Sequence, residues 1–179
     1  MAPILGSVAE GVLRSMYGPV LLVGPRARCD RFVPDGAMIT CSDGSSTAET
    51  VLPVAAQWAI TLPLEPWVIH VSDPDGYRAP AEIRSDVTTD VTHARQVAKS
   101  LEQLVGRKVQ YEALHSAHAA QAITDFAEEK KATLIAMSTH GATGLRRVAL
   151  GSVTMAVVHS APCPVLVYRP PHIPGDQDN

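Results

Sequence analysis

TLIAMSTHGATGLRRVALGSVTMAVVHSAPCPVLVY, Thr133 to Tyr168, opens on a five-residue apolar run and closes on another, Pro164 to Tyr168. Between the two runs stand a glycine-containing loop, Ser138 to Ser152, and a short apolar stretch, Val153 to His159. Runs of this length are too short for buried helices and fit strands covered on both faces. The stretch therefore predicts strand, loop, helix, strand. Such a unit joins two parallel strands by a right-handed crossover.

The same alternation continues upstream. AMITCS, Ala37 to Ser42, is a mostly apolar run that ends on the turn signal Asp43-Gly44. Ser46-x-x-Glu49 has the pattern of a capping box and predicts a helix running toward Leu62. Pro53 falls inside that helix and predicts a kink or a late start. WVIHV, Trp67 to Val71, reads as a second strand. Ile83, Val87, Val91, Ala94, Ala98, Leu101 and Val105 recur at helical spacing, and Gly106 supplies the stop. Val109, Tyr111 and Ala113 alternate as a third strand. Ala119 to Lys131 predicts a helix with Ala122, Ile123, Phe126 and Ala127 inward. Strands separated by helices imply a parallel sheet with helices on both faces. Ligands of such sheets sit beyond the carboxyl ends of the strands, where strand order reverses.

The chain also repeats itself. GSVAEGVLRSMYGPVLLVGP, Gly6 to Pro25, aligns without a gap on GSVTMAVVHSAPCPVLVYRP, Gly151 to Pro170, an offset of 145 residues from Gly6 to Gly151. About one domain length separates the copies, which favours tandem domains over a short-period solenoid. On this reading residues 1–25 are the last helix and strand of a preceding domain copy. Residues 26–36, polar and proline-containing, are a linker, 37–169 a complete domain, and 170–179 a disordered tail.

Composition narrows the function. The chain has 179 residues, enough for one well-buried domain. Apolar residues make up 46% of it and aromatics only 4%, so the core is aliphatic. A net charge of −3 gives no electrostatic reason for nucleic acid or an anionic membrane as partner. No apolar stretch is long enough to span a bilayer, and no signal peptide opens the chain. Cys29, Cys41 and Cys163 have no paired metal-ligand spacing, which argues against a zinc site or a disulfide frame. These features predict a cytoplasmic protein.

Chemistry concentrates in Ser138 to Ser152, STHGATGLRRVALGS. Gly141 and Gly144 let backbone approach a ligand closely, because no Cβ intervenes. Gly151-Ser152 stands at a helix start, where free N–H groups and the positive end of the dipole favour phosphate. Ser152 either caps that helix or turns its hydroxyl toward phosphate oxygens. A glycine-rich turn with an ordinary serine cap explains the same residues without a ligand.

Ser138-x2-Gly141-x9-Gly151-Ser152, followed by APCPVLV, resembles the ATP-binding signature of the universal stress proteins. The resemblance spans Gly36 to Arg169. It implies a five-stranded parallel sheet of order 3-2-1-4-5, Rossmann-like and akin to the adenine nucleotide alpha hydrolases. It also implies ATP, or ATP with Mg2+, as cofactor, and a homodimer or an intrachain pseudo-dimer paired through the last strand. By the resemblance Asp43 holds adenine or ribose and Val71 offers its backbone to adenine. Met137, Gly141, Gly151, Ser152 and Val153 match the cradle for ribose and phosphates. The signature has glycine where this chain has Ser138, whose hydroxyl either donates to a ribose or phosphate oxygen or crowds the approach.

Several rival readings lose ground on spacing. Ser42-Asp43-Gly44-Ser45-Ser46 lacks the Gly-x-Gly-x-x-Gly of dinucleotide dehydrogenases, and no Walker Gly-Lys-Ser/Thr loop occurs. The same five residues resemble the Ser-Gly-Gly-x-Asp-Ser loop of ATP pyrophosphatases only loosely. Asp43-Gly44 by itself is common turn chemistry. Arg146 and Arg147 read as solvated surface, Cys41 as buried filler, and His70 as a packed core residue with a hydrogen-bond partner. His115 and His118 have no carboxylate or cysteine cluster beside them in the sequence. No acid–base pair or activated nucleophile emerges. The sequence thus predicts an ATP-binding stress sensor or regulatory switch rather than a metabolic enzyme. The alternative is a nucleotide-free interaction module.

Overall fold

Every residue of the strand Ala37–Ser42 is buried, and its side chains alternate between two apolar layers. Met38 joins Val68, Leu134, Ala136 and Leu166 on one side of the sheet. Ile39 joins Ile69, Ile135, Val165 and Val167 on the other. This period-two division is what a strand covered on both faces requires.

The computed structural model describes residue 12 and residues 17–28, 35–73, 87–139 and 150–170. In chain order the elements are β1 (Gly18–Leu22), β2 (Ala37–Ser42), α1 (Ser46–Glu49), α2 (Leu52–Thr61), β3 (Glu65–Ser72), α3 (Val87–Val105), β4 (Gln110–His115), α4 (Ala119–Glu129), β5 (Leu134–Ser138), α5 (Ser152–Ser160) and β6 (Val165–Arg169). The tail 171–179, most of the N-terminal repeat's helix and linker residues 29–34 lie outside the described residues.

The strands form one sheet of order β1-β6-β5-β2-β3-β4. The strands from β2 to β6 pair in parallel and run in the expected order, with β2 and β5 meeting where the order reverses. The expectation of a five-stranded, purely parallel sheet needs correction, because β1 adds a sixth strand antiparallel to β6. The reason lies in the N-terminal repeat. Its Pro-Val-Leu run is strand-forming, and the outer edge of β6 offers backbone groups that need partners. The ladder joins residues 18–22 to 165–169.

Leu52, Ala55, Ala56 and Ala59 of α2 pack on one face with Ala98, Leu101 and Val97 of α3. Ile123, Phe126 and Ala127 of α4 pack on the other with Val157 and Val158 of α5. The predicted helix from Ser46 to Leu62 is two helices. Pro53 lies within the first two positions of α2, where its missing N–H costs no intrahelical bond. The cap of α1 is Ser45 rather than Ser46, with its side chain accepting from the Ala48 amide at 3.1 Å. Gly106 ends α3 in the left-handed region at φ 70, a conformation glycine adopts without steric cost. Ile83, assigned by periodicity to this helix, lies outside the described residues. No helix among the described residues is long and apolar enough to cross a membrane.

Candidate functional site

The carboxyl ends of β2 and β5 open side by side at the point where strand order reverses. In a sheet of this kind that crevice is where ligands bind. Asp43 leaves β2 there, and Ser138 and Thr139 leave β5.

Asp43 is exposed, and its Oδ1 accepts from the Ser45 amide at 3.0 Å and the Ser45 hydroxyl at 2.6 Å. Ser45 in turn caps α1, so the carboxylate, the cap and the helix form one local chain of bonds. The turn chemistry legible in Asp43-Gly44 is therefore present. Gly44 takes φ +86, and a Cβ there would stand 3.5 Å from His70 Cε1 and 3.6 Å from His93 Nε2. The turn lies directly over two imidazoles.

At the end of β5, Met137 and Ser138 are buried. The Ser138 hydroxyl is buried without a hydrogen-bond partner among the described residues, whereas the Ser138 carbonyl accepts from Thr154 Oγ1 at 3.2 Å. Thr139 is fully buried, and its carbonyl accepts from the Gly151 amide at 2.8 Å. A Cβ on Gly151 would lie 3.0 Å from that same carbonyl oxygen. The N-terminus of α5 is thus pinned to the end of β5 through a position that admits no side chain without a shift. Gly151, not Ser152, is the N-cap, and among the described residues no side chain caps α5. Among the described residues no side chain satisfies the first-turn amides of this helix, groups that an α-helix leaves without an internal partner. Ser152 and Val153 are exposed in that turn. Gly141, Gly144, His140, Arg146 and Arg147 lie outside the described residues.

Ser152 and Val153 also line an open groove of about 510 Å³ between the starts of α4 and α5, with His118, Gln121 and Ala156. Asp43 and Val71 do not line it. The described site residues therefore fall into two groups: Met137, Ser138, Gly151, Ser152 and Val153 around the β5–α5 join, and Asp43 with Val71 on the β2–β3 side.

Val71 is half-buried near the end of β3. The register of β3 with β2 ends at Ser42 opposite His70, but with β4 it continues to Ser72 opposite His115. Val71 and Ser72 thus run past their neighbour on the β2 side. Behind them lies a polar network absent from the sequence reading. Asp90 of α3 accepts from the Ser72 hydroxyl at 2.6 Å and stands 3.4 Å from both His70 Nε2 and His115 Nδ1. His93 meets His70 edge to face at 4.9 Å between ring centroids and approaches Glu49 at 3.7 Å. Burial holds His70 below its ordinary value, His93 adds to the shift, and Asp90 and Asp43 oppose it. Spacing offered a signal for Asp90. Asp90, Ala94, Val97 and Leu101 are four, three and four apart, which puts a carboxylate on the core face of α3.

Residues 37–169 match the profile of the universal stress protein family. The chain belongs to that family. Universal stress protein MJ0531 of Methanocaldococcus jannaschii is 35% identical over 136 residues, covering 73% of this chain and 79% of that protein. A solved universal stress protein from Archaeoglobus fulgidus DSM 4304 is 26% identical with a TM-score of 0.64, and the match covers 97% of this chain and 56% of that one. A second solved universal stress protein, from Archaeoglobus fulgidus in complex with dAMP, shares the fold at 24% identity and a TM-score of 0.58, over 76% of this chain and 100% of its own.

Proposed function

We propose that this universal stress protein binds an adenine nucleotide, ATP or ATP with Mg2+, and acts as a regulatory switch rather than a metabolic enzyme. The observation that carries the reading is the β5–α5 join. A buried Ser138 hydroxyl without a partner among the described residues sits one residue from the Thr139 carbonyl that holds Gly151. A buried donor of this kind is costly unless something accepts from it. A ribose or phosphate oxygen fits that need, and the first-turn amides of α5, which no described side chain caps, fit the phosphates that would follow. The dAMP complex of the Archaeoglobus fulgidus protein supports the choice of adenine.

In this reading Asp43 contacts adenine or ribose and the Val71 backbone reads the base. Met137, Ser138, Gly141, Gly144, Gly151, Ser152 and Val153 surround ribose and phosphates. Mg2+ would screen phosphate charge, and the described residues supply no dedicated carboxylate cage for it. No residue is assigned a catalytic role. Turnover well above background that Asp43→Ala abolishes would overturn that part.

The direct test is calorimetric titration of ATP with Mg2+ into protein stripped of nucleotide by unfolding and refolding. One-to-one saturable binding is expected. No heat at millimolar ATP from correctly folded protein would favour the second reading, a nucleotide-free interaction module. The specific observation behind that alternative is Ser138 itself, which adds a side chain where the signature has none.

We further propose that residues 1–25 are the end of a preceding unit of the same kind. Leu21 is 44% exposed while its repeat equivalent Leu166 is 1% exposed, as expected if Leu21 belongs to a sheet whose covering helices come from another unit.

A further inference from the structure

The buried carboxylate of Asp90 is a puzzle if its role is only to hold the fold. An ionised carboxylate taken out of water is costly, and apolar residues of similar volume usually serve stability as well or better. Asp90 is nonetheless 2% exposed, in the first turn of α3, immediately behind the carboxyl ends of β3 and β4.

Its contacts all reach those strand ends. Oδ2 accepts from Ser72 Oγ at 2.6 Å and faces His115 Nδ1 at 3.4 Å, and Oδ1 faces His70 Nε2 at 3.4 Å. Ser72 Oγ also lies 3.0 Å from His115 Nδ1. Since the Ser72 hydroxyl hydrogen is directed at Asp90, its oxygen is left to accept from His115 Nδ1–H. The Ser116 amide closes the arrangement on the Ser72 carbonyl at 2.9 Å. One carboxylate therefore links His70 and Ser72 of β3 to His115 of β4. Val71 lies between the two β3 residues so held. On the β2 side the strand register has already ended at His70. Without the network, the two residues past that point would be held by β4 alone.

We propose that Asp90 is the positioning residue of the base subsite: through Ser72 and His115 it fixes the open edge of Val71 and so sets the selection among bases. This rests on the nucleotide-binding reading above. Hydrogen-bonded selection by a strand edge depends on sub-ångström placement of its N–H and C=O groups. Asp90 touches no ligand in this scheme and acts only through the strand.

The test compares ATP and CTP binding to the intact chain and to Ser72→Ala, Ser72→Thr and Asp90→Asn, with the thermal midpoint of each measured without ligand. Loss of a hydrogen bond to a charged group predicts that Ser72→Ala weakens ATP about tenfold. CTP should change less than about twofold, since its phosphate contacts are untouched. The midpoint should fall in Ser72→Ala and recover in Ser72→Thr, which keeps the hydroxyl and should restore the ATP preference; the ATP-to-CTP ratio is the readout a merely structural loss would not move. Ser72→Ala and Asp90→Asn with the parental ATP-to-CTP ratio would overturn the inference. Should Asp90→Asn fail to fold, the Ser72 pair decides. An intact chain that binds both nucleotides equally overturns this inference alone. One that binds neither overturns the nucleotide reading, and this one with it.

Discussion

Leu21 stands directly opposite Leu166 in the β1–β6 ladder, and the two leucines occupy the same position of the internal repeat. Their neighbours follow the same rule. Val20 pairs with Val167 and Leu22 with Val165, and each pair maps onto the other when the repeat copies are exchanged. A pairing unchanged by exchange has the geometry of an isologous two-fold contact. The outer edge of β6 is therefore suited to a second β6, and β1 covers it. Removing residues 1–26 should let two chains pair through β6, raising the number of chains per particle. Light scattering after size exclusion reads this directly. A truncated chain with native circular dichroism, unchanged association and unchanged solubility would count against it.

The Gly151–Thr139 contact gives a second prediction. A Cβ at Gly151 would meet the Thr139 carbonyl at 3.0 Å, and that carbonyl is backbone rather than a flexible side-chain end. Gly151→Val should therefore displace the start of α5 from the end of β5. Amides aimed at a phosphate lose their alignment with it, and ATP affinity should fall at least about tenfold. Titration calorimetry on the variant checks this, with circular dichroism confirming the fold. Unchanged affinity would mean that the α5 terminus is not part of the nucleotide site.

His70 makes stability fall in mild acid. Its folded pKa lies below the ordinary 6.5, first because it is buried and second because His93 is close. As pH drops through about 6.5, the unfolded chain takes up a proton that folded His70 refuses. Stability contributed by the neutral ring is thus present above that pH and declines below it, until the folded value is reached. The slope for one such group is at most about 1.4 kcal/mol per pH unit. His93, Asp90 and Asp43 act on the ring, and Glu49 and His115 stand beside His93 and Asp90 in turn, so the measurement must be a difference. His70→Gln should lose less in thermal midpoint than the parent between pH 7.5 and 5.5. Parallel curves would show that His70 is not the group responsible.

Much of this fold was legible because its signals are local. Ala37–Ser42 has the length and apolarity of a doubly covered strand, Gly106 stops α3, and the spacing of Ala94, Ala98 and Leu101 carries the helix into the core. Pro53 announced a break whose location only the competition between two helix starts could decide. Ser46 lost the cap to Ser45 because Asp43 binds the Ser45 amide and hydroxyl, a preference set by turn geometry rather than by the Ser-x-x-Glu pattern. Gly151 was legible as the start of α5, whereas its bond to the Thr139 carbonyl at the end of β5 was not. The Asp90 network was missed because it joins α3, β3 and β4 across 45 positions, from His70 to His115. Sequence offered only a carboxylate on an apolar helix face and histidines with no neighbour in the chain. Parallel register brings such residues together, and no short pattern encodes register between strands that a helix separates.

Cys41 supplies the last prediction. Burial pushes its thiol up to about 12, and Cys163 adds to the shift. Only the thiolate attacks alkylating reagents, so at pH 8 about one molecule in ten thousand would carry the reactive form even before access is considered. Iodoacetamide should leave the Cys41 peptide unmodified in native protein and label it fully in denaturant, as read by mass spectrometry. The same shift has a sign in stability. From pH 9 upward the unfolded thiol, whose ordinary value is 9.0, releases a proton that the folded chain retains. Stability should therefore decline as pH rises above 9, and Cys41→Ala should flatten that decline while lowering stability at pH 7 through lost packing. Rapid native labelling of Cys41 would mean that the β2 end opens readily, and the Asp43 turn that follows it could not then be a preformed part of a binding site.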